Sequence, residues 1–325
     1  MSWRFLQRNI PLLATVAVCV LLYGAAAVAY DGFASLRVFI NFFGDNSFLG
    51  IAAIGLTFVI LSGGIDLSVG AVIGLVSVVF ALVLEKWHLH PVVAVPGVLL
   101  IGTLLGAVHG TLIQSFALPP FLVTLGGMFF ARGCAYLLSL ESLPITRHLE
   151  AINTRLAVPA GDGLEVPATA ILFLLVFTSA LVVAHFTRFG RNIYAVGGSE
   201  VSAVLMGLPA GRTKIRVYAL SGFCSALAGV VYCLYTQSGN PNAGTGLELD
   251  AIAAVVIGGT LLSGGVGYVA GTVVGVLIFG IIQTAIVFQG TLSSWWTKIA
   301  VGVLLLAFIL LQKLVQAGKF GRQKH

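Results

Sequence analysis

Few residues in this chain are placed to do chemistry. The run Ser62-Gly63-Gly64-Ile65-Asp66-Leu67-Ser68-Val69-Gly70 sets paired glycines and an acid between two apolar stretches. Paired glycines there predict a backbone bend near a membrane edge. Asp66, followed by Ser68, can cap the next helix by accepting from its free N–H groups and facing its positive end; a part in solute passage or gating is the other role open to it. Arg132 lies inside the apolar stretch Phe121–Ser139. A charge there is costly unless paired or wet, so it is either a functional residue or half of a structural pair. Its partner would be a carbonyl freed at a broken helix or an acid such as Asp66, Glu248 or Asp250. Glu248 and Asp250 precede another apolar run, where they would cap a helix or line an outer mouth.

Other chemistries find no residues. The sequence has no G-x-x-x-x-G-K-[ST] phosphate loop, so the chain is not expected to hydrolyse ATP. His88, His90, His109, His148, His185 and His325 are scattered, with no nucleophile or acid at a useful offset and no metal-ligand spacing. No catalytic residue and no metal are expected. Cys19, Cys134, Cys224 and Cys233 sit in apolar segments without redox or metal spacing and read as small core residues. Phe129, Phe130, Trp295 and Trp296 offer faces on which a sugar ring would stack, but aromatics are also expected at a membrane–water boundary, the reading preferred for the two tryptophans.

The elements that position these residues follow from composition. With 325 residues, 58% hydrophobic, 9% charged and a mean hydropathy of +1.06, the chain cannot cover a water-facing surface, and lipid is its solvent. Runs such as Ile10–Tyr30 are apolar on every face, which predicts helices and not the alternating strands of a barrel. The expected class is an all-α polytopic membrane protein forming a single transmembrane domain over 1–325. Ten spans are placed near 10–30, 42–61, 69–84, 92–116, 121–139, 166–185, 215–235, 249–262, 268–287 and 295–311. The second, third and eighth look short, as partial or broken helices do; eight or nine crossings also fit these lengths. The first apolar run is too long for a signal peptide and is read as a retained helix.

Charge sets the orientation. Arg4, Arg8, Arg188, Arg191, Arg212, Lys214, Arg216, Lys313, Lys319, Arg322 and Lys324 share one side, whereas Arg37, Lys86, Arg147, Arg155 and Lys298 fall opposite. The excess places both termini in the cytoplasm. The net charge of +6 thus flanks membrane segments and argues against nucleic acid as a partner. The polar linker 140–165, with Pro144, Pro159, Gly161 and Gly163, falls in the periplasm and has room for a short surface helix. The long basic connection 186–214, with a Gly197–Gly198 break before a short helical stretch, is the expected docking surface.

An internal repeat appears at a shift of 201 residues. It aligns Ile51–Leu75 with Ile252–Val276 and matches ten of twenty-five positions, including Leu61-Ser62-Gly63-Gly64 with Leu262-Ser263-Gly264-Gly265, Gly70 with Gly271, and Gly74 with Gly275. Two halves, roughly 42–139 and 215–311, are implied. Glycine-interrupted apolar segments at matching places point to a translocation path at the repeat interface, so Ser263, Gly264 and Gly265 join Ser62, Gly63 and Gly64 as candidates. The glycines Gly55, Gly70, Gly74, Gly102, Gly106 and Gly110 also suit close helix packing in lipid.

The Ser62–Gly70 run, Thr124-Leu125-Gly126-Gly127-Met128 with Arg132-Gly133, and Phe189-Gly190-Arg191 through Gly207 resemble the sugar permease family of ribose-type ABC importers, over nearly the whole chain. Phe48-Leu49-Gly50-Ile51, Gly244-Thr245-Gly246-Leu247-Glu248-Leu249-Asp250-Ala251-Ile252-Ala253 and Gly290-Thr291-Leu292-Ser293-Ser294-Trp295-Trp296-Thr297-Lys298 are similar to permease subunits of bacterial galactofuranose importers. The resemblance implies a bacterial inner-membrane subunit with about ten helices in a fold like that of vitamin B12-type importers. It implies a second, homologous permease as a heterodimer partner, ABC ATPase subunits that hydrolyse the ATP, and a periplasmic sugar-binding protein. It makes Arg191, Glu200, Ala203 and Gly207 candidates for coupling to the ATPase.

Two rival readings come from other classes. An ion-coupled secondary transporter would use Asp66 or Asp250 as a proton or sodium site, but intramembrane acids are few and the basic loop suits docking better. An enzyme acting on lipid-linked sugars would need clustered carboxylates or a metal site, and the sequence shows neither.

Overall fold

The computed structural model describes residues 3–146, 149–161, 164–293 and 295–322; Arg147, His148, Gly163, Ser294, Lys324 and His325 lie outside the described residues. Apolar helix α1 (Trp3–Ala29) is followed by a bent pair, α2 (Leu36–Asp45) and α3 (Ser47–Leu61), whose axes differ by 55°. The bend leaves carbonyls of α2 without helical partners. Asn46 Nδ2 donates to the Phe42 carbonyl at 3.1 Å and Ser47 Oγ to that of Gly44 at 2.6 Å, so local side chains hold the kink. Then come α4 (Val69–Glu85), α5 (Pro91–Ser115) and α6 (Pro120–Leu138).

The linker folds as β1 (Leu143–Pro144), α7 (Leu149–Leu156), β2 (Val158–Gly161) and β3 (Leu164–Val166), with α7 as the short helix expected there. After α8 (Ala168–Phe186), the connecting loop forms α9 (Arg188–Gly198) and α10 (Glu200–Leu205). The long helix α11 (Ala210–Thr236), strand β4 (Ser238–Gly239), and helices α12 (Leu247–Ile257), α13 (Val269–Gln289) and α14 (Trp295–Arg322) complete the chain. Because α11 starts at Ala210, Arg212 and Lys214 belong to that helix and not to the connection.

Every sequence-derived span has a helix or bent pair at its place. Among the described residues, seven helices are long and apolar enough to cross a membrane, eight if the bent pair is one span; α4, with 17 residues, and α12, with 11, are shorter. The chain is a polytopic helical membrane protein.

The layers follow from which helices lack a polar face. Fourteen of the fifteen residues of α3 are buried, and α8, α11, α12 and α13 pack around it. A helix apolar on all sides must be enclosed by protein or lipid. Leu21 and Val28 of α1, Leu137 of α6 and Leu306 of α14 are exposed, so these outer helices keep a lipid-facing side. Along α5, a Cβ at Gly102, Gly106 or Gly110 would run into the backbone of α11 at Gly222, Tyr218 and Ile215. Missing side chains there let two helices meet backbone to backbone, as close packing in lipid requires. At one end of the bundle β1 pairs antiparallel with β4, and Asn153 donates to the Leu234 carbonyl at 2.9 Å, seating the linker on the end of α11.

The repeat is imperfect in three dimensions. Helices α4 and α13 start near matching positions, but α12 ends at Ile257 while α3 runs to Leu61. Gly258-Gly259 stops α12 early: Gly259 has φ +91°, and Thr260 N–H reaches back to the Val255 carbonyl at 3.2 Å. The matching residues of the first half, Thr57 and Phe58, continue their helix. Ser263-Gly264-Gly265 therefore lies in a longer loop and not at a helix end.

Candidate functional site

That longer loop lets the two repeat bends meet. Gly265 N–H donates to the Leu61 carbonyl at 2.9 Å. Gly63 and Gly264 both have φ +83°, and a Cβ on Gly264 would lie 2.8 Å from Gly63 N and 2.9 Å from its Cα. Into the same contact comes the end of α9: a Cβ on Gly197 would strike the Leu61 carbonyl oxygen and lie 2.7 Å from Gly265 N. Three glycine pairs, at 63–64, 264–265 and 197–198, thus form one junction. It joins both halves to the connecting loop, and no side chain is interposed. Ser62 stays buried and turns its hydroxyl back to the Val59 carbonyl at 2.7 Å, while Ser263 is exposed.

Asp66 is only 1% exposed. Its Oδ1 accepts from the Ser68 N–H at 2.9 Å and the Ser68 hydroxyl at 2.6 Å, and its Oδ2 accepts from the Ser221 hydroxyl at 2.7 Å. The cap therefore takes a modified form: Ser68 is the N-cap of α4, and its hydroxyl serves Asp66, not the helix. One turn from Ser221, the Tyr218 hydroxyl donates to the Ile65 carbonyl at 3.3 Å, so one face of α11 grips the whole bend.

Arg132 resolves its alternatives in favour of freed carbonyls. Its Nη1 donates to Ala243 O at 2.8 Å and also to Pro241 O, both in the irregular stretch before α12. The guanidinium passes over Gly74, where a Cβ would lie 2.6 Å from Nη1. Glu248 lies within electrostatic reach of it. Glu248 Oε1 accepts from Gly246 N–H at 3.2 Å, and Oε2 is buried against Gly70 with no hydrogen-bond donor among the described residues. Asp250 stands apart, ion-paired with Lys298 of α14. Glu248 and Asp250 occupy the first turn of α12 instead of preceding the helix.

The connecting loop sorts its candidates by exposure. Ala203 is fully buried against Val196 and Ala210, so it holds α10 in place and cannot itself touch a docked protein. Arg191 is exposed; Gly207, with φ +78°, turns the chain after α10. Glu200 pairs with Lys214 at 2.6 Å. Val201, Val204, Leu205 and Met206 are exposed side by side on α10 and its C-terminal end. Sequence reasoning missed Ser221, which has no motif around it. It noted Gly197–Gly198 only as a break, because a contact between residues distant in the chain leaves no local spacing to read.

Residues 38–309 match a family model described as the branched-chain amino acid transport system / permease component. The chain is 52% identical over 308 residues to the inner membrane ABC transporter permease protein YjfF of Escherichia coli K12, covering 95% of this chain and 93% of that one. It is 38% identical over 317 residues to the fructose import permease protein FruG of Bifidobacterium longum, covering 96% and 93%. With the ribose import permease protein RbsC of Haemophilus influenzae it shares 37% identity over 293 residues, 90% of each chain. No solved structure matches significantly. The chain belongs to this permease family, among its ribose-type sugar ABC permeases, and is a transport subunit, not an enzyme.

Proposed function

We propose that this chain is the membrane path and lever of an ATP-driven importer for a monosaccharide, galactofuranose. The observation that carries the reading is the continuity from α10 to the glycine junction. An exposed apolar patch on a loop marks a docking site, and Val201, Leu205 and Met206 supply one. Ser199 separates α10 from α9, and the last turn of α9 sets Gly197 against the bends of both repeat halves. Motion of a docked ATPase would reach the interface between the halves through two short helices and backbone contacts. Packed interfaces of this kind respond as two-state elements.

The full reading has ten spans in a vitamin B12-type arrangement, with α4 and α12 counted as short spans and both termini in the cytoplasm. The partners are ABC ATPase subunits, which hydrolyse the ATP, a second homologous permease in a heterodimer, and a periplasmic binding protein that selects the sugar. The path holds the sugar weakly, because tight binding would prevent release. This chain carries no cofactor. Galactofuranose rests on the resemblance of Phe48–Ile51, Gly244–Ala253 and Gly290–Lys298 to permeases for that sugar.

Pull-down of the tagged chain from native membranes, with ATPase assays of the recovered complex, tests the reading. Recovery of an ATPase and a second permease, stimulated by a galactofuranose-loaded binding protein, is expected. A chain recovered alone, in cells whose sugar uptake follows an ion gradient, would hand the role to a secondary transporter.

A further inference from the structure

At the end of the bundle that carries the linker, an open cavity of about 580 Å³ separates α3, α11, α12, α13 and α14. It lies opposite the glycine junction, since α3 runs from one to the other. Its volume is in the range of small-molecule sites, about 300–1,000 Å³. The lining is mixed. Asp45 accepts a hydrogen bond from Tyr235, and Leu49 and Phe279 form apolar wall. Gln283 and Thr284 face the cavity from α13, and neither side chain makes a hydrogen bond among the described residues. Trp295 and the Asp250–Lys298 ion pair also line it.

Gln283 is the telling residue. It is exposed on a helix otherwise apolar enough to span a membrane. An amide facing hydrocarbon without a partner is costly, and polar groups within spans mark wet paths. Gln283 and Thr284 together offer donors and acceptors to adjacent hydroxyls, the Asp45 carboxylate accepts, and the Trp295 ring supplies an apolar face. Lys298 is already neutralised by Asp250, which leaves Asp45 as the charge without an ion pair among the described lining residues and sets the cavity against anions.

We infer that this cavity is a receiving subsite for a neutral monosaccharide, which it prefers to a sugar acid, on the way to the glycine junction. The inference rests on the importer reading and adds to it the place and charge preference of the path.

The test uses the complete transporter with its binding protein in proteoliposomes, with labelled D-galactose as probe and D-galacturonate as its acidic counterpart. Gln283→Ala should lower D-galactose uptake about fivefold, the loss of roughly one hydrogen bond. Asp45→Asn should raise uptake of D-galacturonate relative to D-galactose, a change in ratio that a loss of stability would not produce. Should these variants fail to accumulate, Thr284→Cys supplies a direct measure: D-galactose should slow its modification by a membrane-impermeant thiosulfonate, with the unsubstituted chain as control. Wild-type uptake of D-galactose with an unchanged sugar ratio in Asp45→Asn, or labelling of Thr284→Cys that D-galactose does not slow, would overturn the subsite. If the unsubstituted complex imported no sugar at all, the importer reading itself would fall first.

Discussion

The Gly265 N–H donates to the Leu61 carbonyl at 2.9 Å, so the second repeat half is hydrogen-bonded to the last turn of α3 in the first. The bond is possible because Gly258-Gly259 ends α12 early and leaves a loop long enough to cross. A carbonyl freed at a helix end gains a donor from the other half, which ties local helix termination to the contact between halves.

Gly264→Ala should be the more damaging of two alanine substitutions at this contact. Both Gly63 and Gly264 have φ +83°, a conformation that costs an L-residue about 1–2 kcal/mol. At Gly63 the new Cβ would meet only the Ser263 carbonyl at 3.9 Å, but at Gly264 it would lie 2.9 Å or less from Gly63 backbone. Thermal unfolding of the detergent-purified chain should show a modest loss for Gly63→Ala and a larger one for Gly264→Ala, with sugar uptake following the same order.

Arg132→Gln should remove donors from two carbonyls that no helix satisfies, a loss of roughly 1.5–3 kcal/mol for bonds to a charged group. Gly74→Ala displaces the same guanidinium, so its effect and that of Arg132→Gln should fail to add by about 0.5–3 kcal/mol in a double-mutant cycle. Additive values would show that the two do not share one contact.

The sequence made part of this legible. The polytopic helical class and the bend at Ser62–Asp66 follow from composition and glycine placement, because hydrocarbon forces local satisfaction of the backbone. Arg132 could be flagged as needing a partner, but choosing the Pro241 and Ala243 carbonyls required knowing where an irregular stretch 109 residues away would pass. Ala203 looked like a contact residue for the same reason: burial by Val196 and Ala210 is a property of the folded loop. The repeat promised equal halves, and one glycine pair at 258–259 made them unequal.

Ser221→Ala should leave Asp66 Oδ2 buried without a donor and lower stability by about 1–3 kcal/mol. Asp66→Ala removes the tie to both Ser68 and Ser221 and should be worse. If Asp66 were an ion-coupling site, uptake by Asp66→Asn would lose its dependence on a proton or sodium gradient; the importer reading expects no such dependence in the unsubstituted protein while ATP is present. Uptake with ionophores added separates the two.

Lys214→Met should change thermal stability by no more than about 1 kcal/mol, because the Glu200–Lys214 pair is solvent-accessible and screened. Leu205→Asp places a charge in the exposed apolar patch without touching the core. It should leave unfolding unchanged and abolish recovery of the ATPase in a pull-down. Normal recovery would move the docking surface elsewhere.

The lever through the glycine junction is tested most directly by sugar transported per ATP hydrolysed in the reconstituted complex, compared for Gly197→Ala and Gly198→Ala. A Cβ on Gly197 would strike the Leu61 carbonyl oxygen, whereas one on Gly198 meets nothing within 4 Å. Gly197→Ala should lower transport per ATP about tenfold, within the usual span of coupling energies between sites, and Gly198→Ala should match the unsubstituted chain. Equal transport per ATP in all three proteins would contradict the account, since the loop would then drive the two halves by some route other than this junction.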